Sequence, residues 1–239
     1  MTGIDQLRIK IFADGADLAG IAAAAEDPLI KGFTTNPTLM RRAGVDDFEQ
    51  FARKALEVIG GKPISFGVFS DRFDEMSRQA QGIAGWGDNV YLKIPVTNSV
   101  GAPSYDLIGE LAALGVQVNV TALFTMEQID AVVARLVGGP PSYLSVFAGR
   151  IADAGADPVP YVRHAVEAVA DEQQVQVIWA SPREVLNVVQ ADQCGCQIIT
   201  MTDDLIAKLS GIGKDLAQFS LETVQMFRRD ALSAGYELP

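Results

Sequence analysis

Short apolar runs alternate along the chain with longer segments in which apolar residues recur every three or four positions. The short runs are rich in β-branched and aromatic residues, which is typical of buried strands, whereas the longer segments have the spacing of amphipathic helices. The short runs begin near residues 9, 32, 64, 89, 116, 143, 175 and 197. The helical segments cover residues 46–59, 73–83, 105–114, 125–136, 158–170, 182–192 and 203–209.

The number and spacing of the strands predict the fold class. The eight strands follow one another at intervals of about 27 residues, with a helical segment in most intervals. An open, doubly wound sheet would show the same alternation of strands and helices. Because the strands number eight and are evenly spaced, the sequence favours a single closed (β/α)8 barrel, an α/β TIM barrel.

One further amphipathic helix is predicted at residues 214–235, after the helix that follows the eighth strand. We expect it to pack across the barrel or against a neighbouring subunit. No charge run, linker or low-complexity stretch marks a second domain, so residues 1–239 are predicted to form one domain. A homo-oligomer is compatible with the additional helix.

Charge and composition narrow the classes of partner. Nineteen basic side chains stand against thirty acidic ones, which gives a formal net charge of −11. Such a surface repels phosphate backbones and anionic lipids, so neither nucleic-acid nor membrane partners are expected. Two cysteines and one histidine are too few for a disulfide framework or a metal site. Without a secretory signal or a membrane span in the sequence, a cytoplasmic protein is expected.

Alternation along the strands predicts which side chains point into the barrel. In the fourth strand Val90, Leu92 and Ile94 share the apolar face, so Tyr91 and Lys93 point inward. Lys93 lies near the carboxyl end of the strand, where barrel enzymes keep their chemistry. The same rule gathers further residues at this mouth: Asp14, Thr34, Asn36, Asn119, Thr121, Ser145 and Phe147. Each buried polar group without a partner costs about 2–7 kcal/mol, which favours a functional site over a set of mutually hydrogen-bonded core residues.

An enclosed lysine suggests a specific chemistry. Burial disfavours the charged form, so the neutral amine of Lys93 becomes available to attack a ketone or aldehyde and form a Schiff base. Asp14 is the best-placed proton shuttle, and Thr121 is suited to hold a relaying water. This reaction needs neither a metal nor an organic cofactor. The alternatives are a lysine that extends from the strand end to solvent and an aspartate that serves only as a turn or helix cap before Gly15.

Several motifs occur in the order found in one known family. They are Asp14-Gly15-Ala16, Thr34-Thr35-Asn36-Pro37, Leu92-Lys93-Ile94-Pro95-Val96-Thr97, Asn119-Val120-Thr121, Ser145-Val146-Phe147-Ala148-Gly149-Arg150 and Ser181-Pro182-Arg183. Together they resemble the transaldolase family. The resemblance implies a (β/α)8 barrel in which Lys93 is the Schiff-base lysine and Asp14 the acid–base residue. It also implies that Thr34, Asn36, Asn119 and Ser145 contact the dihydroxyacetone unit, and that Arg150, Ser181 and Arg183 bind the sugar phosphate. Both the pentose phosphate pathway and a specialised biosynthesis are compatible with this reading.

Two positions distinguish this chain within the family. Phe147 stands where fructose-6-phosphate aldolase-like members typically carry a tyrosine, which favours transfer between sugars over simple cleavage. Gly67 stands where the family usually places a glutamate or glutamine that holds the catalytic water. The glycine is consistent with an engineered substitution, with a water held by Asp14 and Thr121 alone, or with a catalytically weakened sugar-phosphate binder.

Overall fold

The computed structural model describes residues 6–236 and shows eight parallel strands closed into a barrel. Each strand pairs with the next along the chain, and the eighth pairs with the first. The strands are β1 (Lys10–Asp14), β2 (Ile30–Thr34), β3 (Ile64–Gly67), β4 (Val90–Pro95), β5 (Val118–Leu123), β6 (Ser142–Val146), β7 (Val175–Trp179) and β8 (Ile198–Met201). The predicted (β/α)8 barrel is confirmed. Two predictions concern the ends of the chain: that the single domain extends over residues 1–239, and that no secretory signal is present. Residues 1–5 and 237–239 lie outside the described residues, so both predictions fall partly outside them.

Helices occupy every interval between the strands. Within residues 6–236 the α-helices are α1 (Leu18–Glu26), α2 (Pro37–Arg42), α3 (Phe48–Val58), α4 (Phe73–Ala84), α5 (Tyr105–Ala113), α6 (Met126–Leu136), α7 (Ala148–Asp153), α8 (Val159–Ala168), α9 (Leu186–Gln193), α10 (Asp203–Ile206) and α11 (Leu216–Ser233). Three of them, α1, α2 and α7, were not among the predicted helices. They are short or made mainly of alanine, so they show little alternation of apolar and polar residues.

Capping residues fix where several helices begin. Helix α6 begins with a capping box: the Thr125 side chain accepts a hydrogen bond from Gln128 N, and the Gln128 side chain accepts one from Thr125 N. Asp17 caps α1 by accepting from Gly20 N at 2.7 Å. The helix predicted at residues 182–192 begins later, at Leu186, because the chain first makes a turn in which Ser181 has a φ of 62°.

Two apolar layers hold the barrel together. The outward faces of the strands are buried against the helices, as Val90, Leu92 and Ile94 illustrate. Inside the barrel an aromatic plug fills the space below the polar mouth; its buried members are Phe12, Tyr91, Tyr143, Ile178, Ala180 and Ile198. Tyr91 and Tyr143 stack with their ring centroids 4.0 Å apart. The plug fills much of the barrel interior with apolar side chains, and the mouth at the carboxyl ends of the strands is where barrel enzymes carry out their chemistry.

The last helix stands apart from this packing. None of the residues of α11 is buried, and large apolar side chains such as Phe219 and Phe227 are at least half exposed. The helix therefore does not pack across the barrel of its own chain. The other alternative, packing against a neighbouring subunit, stays a prediction. Among the described residues, no helix combines the length and the apolar character needed to cross a bilayer.

Candidate active site

Asp14 ends β1 at the open mouth of the barrel, and its carboxylate is held by residues of β2 and the loop that follows. Thr34 Oγ1 donates to Asp14 Oδ1 at 2.7 Å. Asn36 Nδ2 lies 3.5 Å from Asp14 Oδ2, at the outer limit of a hydrogen bond. Asn36 also caps α2, since its Oδ1 accepts from Leu39 N at 2.9 Å. The Asn36 side chain is thus anchored to the helix while its amide nitrogen faces Asp14.

Lys93 points into the same mouth from β4. Its side chain is partly buried, and Nζ donates to the backbone carbonyl oxygen of Thr35 at 2.7 Å. Burial lowers the pKa of Lys93 from its ordinary value, and the negative charge of Asp14 opposes that shift. The nitrogen is therefore turned toward the end of β2, near Asp14, rather than into bulk solvent. Burial therefore favours the neutral form of an amine that lies near a carboxylate.

A buried hydrogen-bonded chain crosses the barrel beside Lys93. Ser145 Oγ donates to Asn119 Oδ1 at 2.7 Å, and Asn119 Nδ2 donates to Ser65 Oγ at 2.9 Å. All three side chains are at most 2% exposed. Because each partner satisfies one end of the Asn119 amide, its orientation is fixed, and it keeps one N–H to offer a substrate. A polar chain of this kind accounts for part of the polar interior without a ligand.

Thr121 lies on β5 at an irregularity in the pairing with β6. The register shifts between Val120 and Leu123, and Ala122 has a φ of 62°, in the left-handed region. The carbonyl of Thr121 accepts from Val96 N at 2.9 Å. Among residues 6–236 the Thr121 hydroxyl has no hydrogen-bond partner, so it is free to bind water or a substrate.

Gly67 lies opposite Lys93 on the neighbouring strand. The two residues are register partners of β3 and β4, so they share the inward face. A Cβ atom placed on Gly67 would meet nothing within 4 Å. The inner face beside the lysine is therefore open, with room for a longer side chain.

The arginines lie at the outer rim of the mouth. Arg150, on α7, places its guanidinium carbon 5.5 Å from the ring centroid of Phe147. Arg183 Nε lies 3.0 Å and 3.1 Å from the two Asp153 carboxylate oxygens, and Arg183 Nη2 lies 2.5 Å from Asp153 Oδ2. These contacts lower the pKa of Asp153, with the Arg183 hydrogen bonds as the main cause. Arg150 and Arg183 are thus linked to one short helix, and both are exposed to solvent.

A close backbone contact joins that helix to the loop after β7. Gly149 N donates to the carbonyl of Ala180 at 3.3 Å. A Cβ on Gly149 would lie 1.5 Å from the carbonyl oxygen of Ser181, so only glycine fits there. Ser181 itself has a φ of 62°, which is uncommon for a residue other than glycine. The loop that carries Ser181 and Arg183 is therefore held tightly against the start of α7.

The motifs around this mouth lie within a longer stretch of the sequence that matches a known protein family. Residues 11–237 match the family described as Transaldolase/Fructose-6-phosphate aldolase. The chain belongs to the transaldolase/fructose-6-phosphate aldolase family. The resemblance noted in the sequence is thereby confirmed.

Relatives of this family member carry a more specific name. A protein named probable transaldolase from Streptococcus equi subsp. zooepidemicus is 35% identical over 204 residues, which cover 84% of this chain and 90% of the relative. A protein of the same name from Streptococcus pyogenes serotype M5 is 34% identical over 203 residues, with the same coverage.

Solved structures with much lower identity share only the fold of this family member. A protein assigned to the dihydrodipicolinate synthase family, from Coccidioides immitis, is 12% identical, with a TM-score of 0.63 over 98% of this chain and 80% of that one. A protein assigned as a phosphonomutase, from Burkholderia cenocepacia, is 11% identical, with a TM-score of 0.51 over 95% of this chain and 93% of that one.

The structure also adds residues that the sequence analysis of this family member missed. Ser65 and Thr200 are buried polar residues of the inner face, and the alternation rule applied to β3 and β8 would have found both. The Thr35 carbonyl could not be found in this way, because a backbone group leaves no signal in the residue type. Asp153 was missed because its partner Arg183 is 30 residues away in the sequence.

Proposed function

We propose that this family member transfers a dihydroxyacetone unit from a ketose phosphate to an aldose phosphate through a Schiff base on Lys93. The observation that carries the proposal is the desolvated Lys93 amine, which faces the open mouth with the Asp14 carboxylate close enough to oppose the lowering of its pKa. Relatives named probable transaldolase support transfer as the reaction.

The proposed steps use only these two side chains and the substrates. The neutral Lys93 Nζ attacks the ketose carbonyl carbon to form a carbinolamine. The carbinolamine hydroxyl takes a proton from solvent and leaves as water, which gives a protonated imine. Asp14 takes the proton of the hydroxyl on the carbon beyond the bond that breaks, and the electrons of that carbon–carbon bond move to the imine nitrogen. The aldose phosphate leaves, and the remaining enamine attacks the acceptor aldehyde, whose oxygen takes the proton back from Asp14. Hydrolysis of the new imine then frees Lys93.

The other residues of the mouth would bind and orient the substrate. Thr34, Asn36, Asn119 and Ser145 are proposed to contact the hydroxyls of the dihydroxyacetone unit. The unpartnered Thr121 hydroxyl is suited to hold the water that relays protons between Asp14 and the imine. At the rim, Arg150, Ser181 and Arg183 are proposed to bind the phosphate, since a guanidinium can hold phosphate oxygens in a two-pronged contact.

Covalent trapping tests the nucleophile. Incubation with a ketose phosphate and borohydride should reduce the imine and leave a stable adduct, which peptide mass mapping should place on Lys93. The Lys93→Met variant should lose the adduct while its circular dichroism spectrum stays that of a folded barrel. An adduct on another lysine, or an adduct retained in the variant, would refute the assignment.

The second candidate activity is cleavage of the fructose-6-phosphate aldolase type, with release of free dihydroxyacetone. It is less well supported, because Phe147 has no hydroxyl with which to protonate the three-carbon fragment. Turnover of a ketose phosphate with and without an aldose phosphate acceptor separates the two activities. Dependence on the acceptor supports transfer, and equal release of dihydroxyacetone without it supports cleavage.

A further inference from the structure

A buried hydroxyl on β8, that of Thr200, contacts the Thr34 hydroxyl that donates to Asp14. Thr200 is 6% exposed and Thr34 is fully buried, and their Oγ1 atoms lie 2.5 Å apart. Thr34 Oγ1 in turn lies 2.7 Å from Asp14 Oδ1. The steps proposed above give Thr200 no role.

The number of hydrogens fixes the direction of this chain. A threonine hydroxyl has one hydrogen to donate, and an ionised carboxylate can only accept. Thr34 must therefore give its hydrogen to Asp14 whenever Asp14 is ready to take a proton. The short contact between the two hydroxyls is then possible only if Thr200 donates to Thr34. The chain runs from Thr200 through Thr34 to Asp14.

This direction assigns different tasks to the two oxygens of Asp14. Oδ1 is held by Thr34, whose donor strength increases when it accepts from Thr200. Within residues 6–236, the hydrogen-bond contact of Oδ2 is the long one of 3.5 Å with Asn36 Nδ2. Oδ2 is therefore the oxygen that remains free to exchange a proton with the substrate, provided that Oδ1 stays anchored.

The barrel does not need these hydroxyls in order to close. Backbone pairing already joins β8 to β1, with Thr200 opposite Phe12, and β1 to β2, with Asp14 opposite Thr34. Valine at position 200 would keep the shape of the side chain and remove only the hydroxyl. Valine could therefore replace Thr200 if the role of Thr200 were purely structural. Valine could not replace it if the hydroxyl serves to anchor Asp14.

We propose that Thr200 is a positioning residue, which acts through Thr34 to hold Asp14 in the orientation that transfers protons and which does not touch the substrate. The proposal rests on the Schiff-base function proposed above. It predicts an effect on the chemical step rather than on substrate binding.

Steady-state kinetics of Thr200→Val tests the proposal. We expect kcat to fall about fivefold to tenfold, which corresponds to the loss of one buried hydrogen bond, while KM changes by less than about twofold. Thr200→Ser keeps the hydroxyl and should restore most of the kcat. Ser142→Ala is the control, since it removes another buried hydroxyl, which bonds to the Pro140 carbonyl at 3.1 Å at the opposite end of the barrel. If the valine variant does not fold, Thr200→Ala removes the same hydroxyl without a branched side chain.

A double-mutant cycle tests whether the effect passes through Thr34. In a Thr34→Val background, Thr200→Val should cause no further loss of kcat. An unchanged kcat in Thr200→Val, an effect that persists without the Thr34 hydroxyl, or an equal loss in Ser142→Ala would overturn the proposal. Borohydride trapping of the unmodified protein distinguishes a failure of the Schiff-base function from a failure of the role proposed for Thr200. Failure to trap refutes the Schiff-base function, whereas normal trapping with a fully active Thr200→Val refutes only the role of Thr200.

Discussion

Gly67 leaves the inner face of β3 bare beside Lys93, at a position where the family resemblance implies an acid or an amide. The backbone there is ordinary strand, and a Cβ would meet no atom within 4 Å. Nothing in the packing therefore requires glycine at this position. The consequence of the glycine is chemical, because one group that could hold a catalytic water is missing.

Gly67→Glu should raise the rate of transfer. If the missing side chain served proton transfer, the expected gain in kcat is about 10²–10⁴-fold. Gly67→Ala is the matched control, since it occupies the same space without an acid. An equal rate in both variants would show that the site works without this group, and no activity in either would favour the weakened sugar-phosphate binder.

Lys93 should destabilise the fold in a pH-dependent manner. Burial lowers the pKa of Lys93 in the folded protein below the ordinary value of 10.5. At a pH between the lowered pKa and 10.5, the unfolded chain therefore binds a proton that the folded chain does not. The stability of the unmodified protein therefore rises as the pH increases through this interval. Methionine does not titrate, so Lys93→Met should raise the free energy of unfolding more at pH 7 than at pH 10. The difference between the gains at the two pH values is at most about 1.4 kcal/mol for each unit by which the pKa is lowered.

Urea unfolding of both proteins at pH 7 and pH 10 measures this difference. The same gain at both values would mean that Lys93 is not desolvated in the folded state. That result would remove the reason for a neutral amine at neutral pH.

At the scale of the elements, the sequence predicted the parts of the barrel that repeat. The β4 run from Val90 to Pro95 alternates clearly, so the presence of the strand and the inward direction of Lys93 could be read from residue types. Helix α7 could not be predicted in this way, because six residues are too few to show a helical period. The hydrogen-bond partners also escaped prediction, since the Thr200–Thr34 contact joins residues 166 positions apart. Which inward hydroxyl meets which carboxylate depends on how the barrel closes.

Helix α7 gives a prediction at its carboxyl end. Asp153 occupies the Nε and one Nη2 hydrogen of Arg183, which leaves the remaining hydrogens of the guanidinium directed elsewhere. We expect Asp153 to orient Arg183 for phosphate, so Asp153→Asn should raise KM for phosphorylated substrates about threefold to tenfold and leave kcat nearly unchanged. Stability should hardly change, because an exposed ion pair contributes little to the free energy of unfolding.

Asp106→Asn is the control for this experiment. Asp106 also pairs with an arginine of a neighbouring helix, Arg135 at 3.1 Å, but on the outer side of the barrel. It should leave KM unchanged. A lower KM in Asp153→Asn would mean that the carboxylate competes with phosphate instead of orienting its partner.

At the scale of the whole molecule, α11 exposes more apolar surface than a helix of a stable single chain should. Leu216, Phe219, Val224 and Phe227 are between 50% and 73% exposed. In proteins most of the stability of a helix comes from tertiary packing of its apolar face, and a continuous apolar face is normally covered by a partner. We therefore expect the protein to form a homo-oligomer in which each α11 packs against a neighbouring copy.

Sedimentation of a variant with both Phe219→Ser and Phe227→Ser tests this expectation. The unmodified protein should sediment as a multiple of its chain mass, and the double variant should dissociate at micromolar concentration, because it loses the two largest apolar side chains of the helix. The barrel core contains neither residue, so thermal unfolding of the dissociated chain should still show a cooperative transition. Gln225→Ser changes an exposed polar position of the same helix and should leave the mass unchanged. A monomer already in the unmodified protein would contradict the expectation, and the apolar face of α11 would then need a different partner.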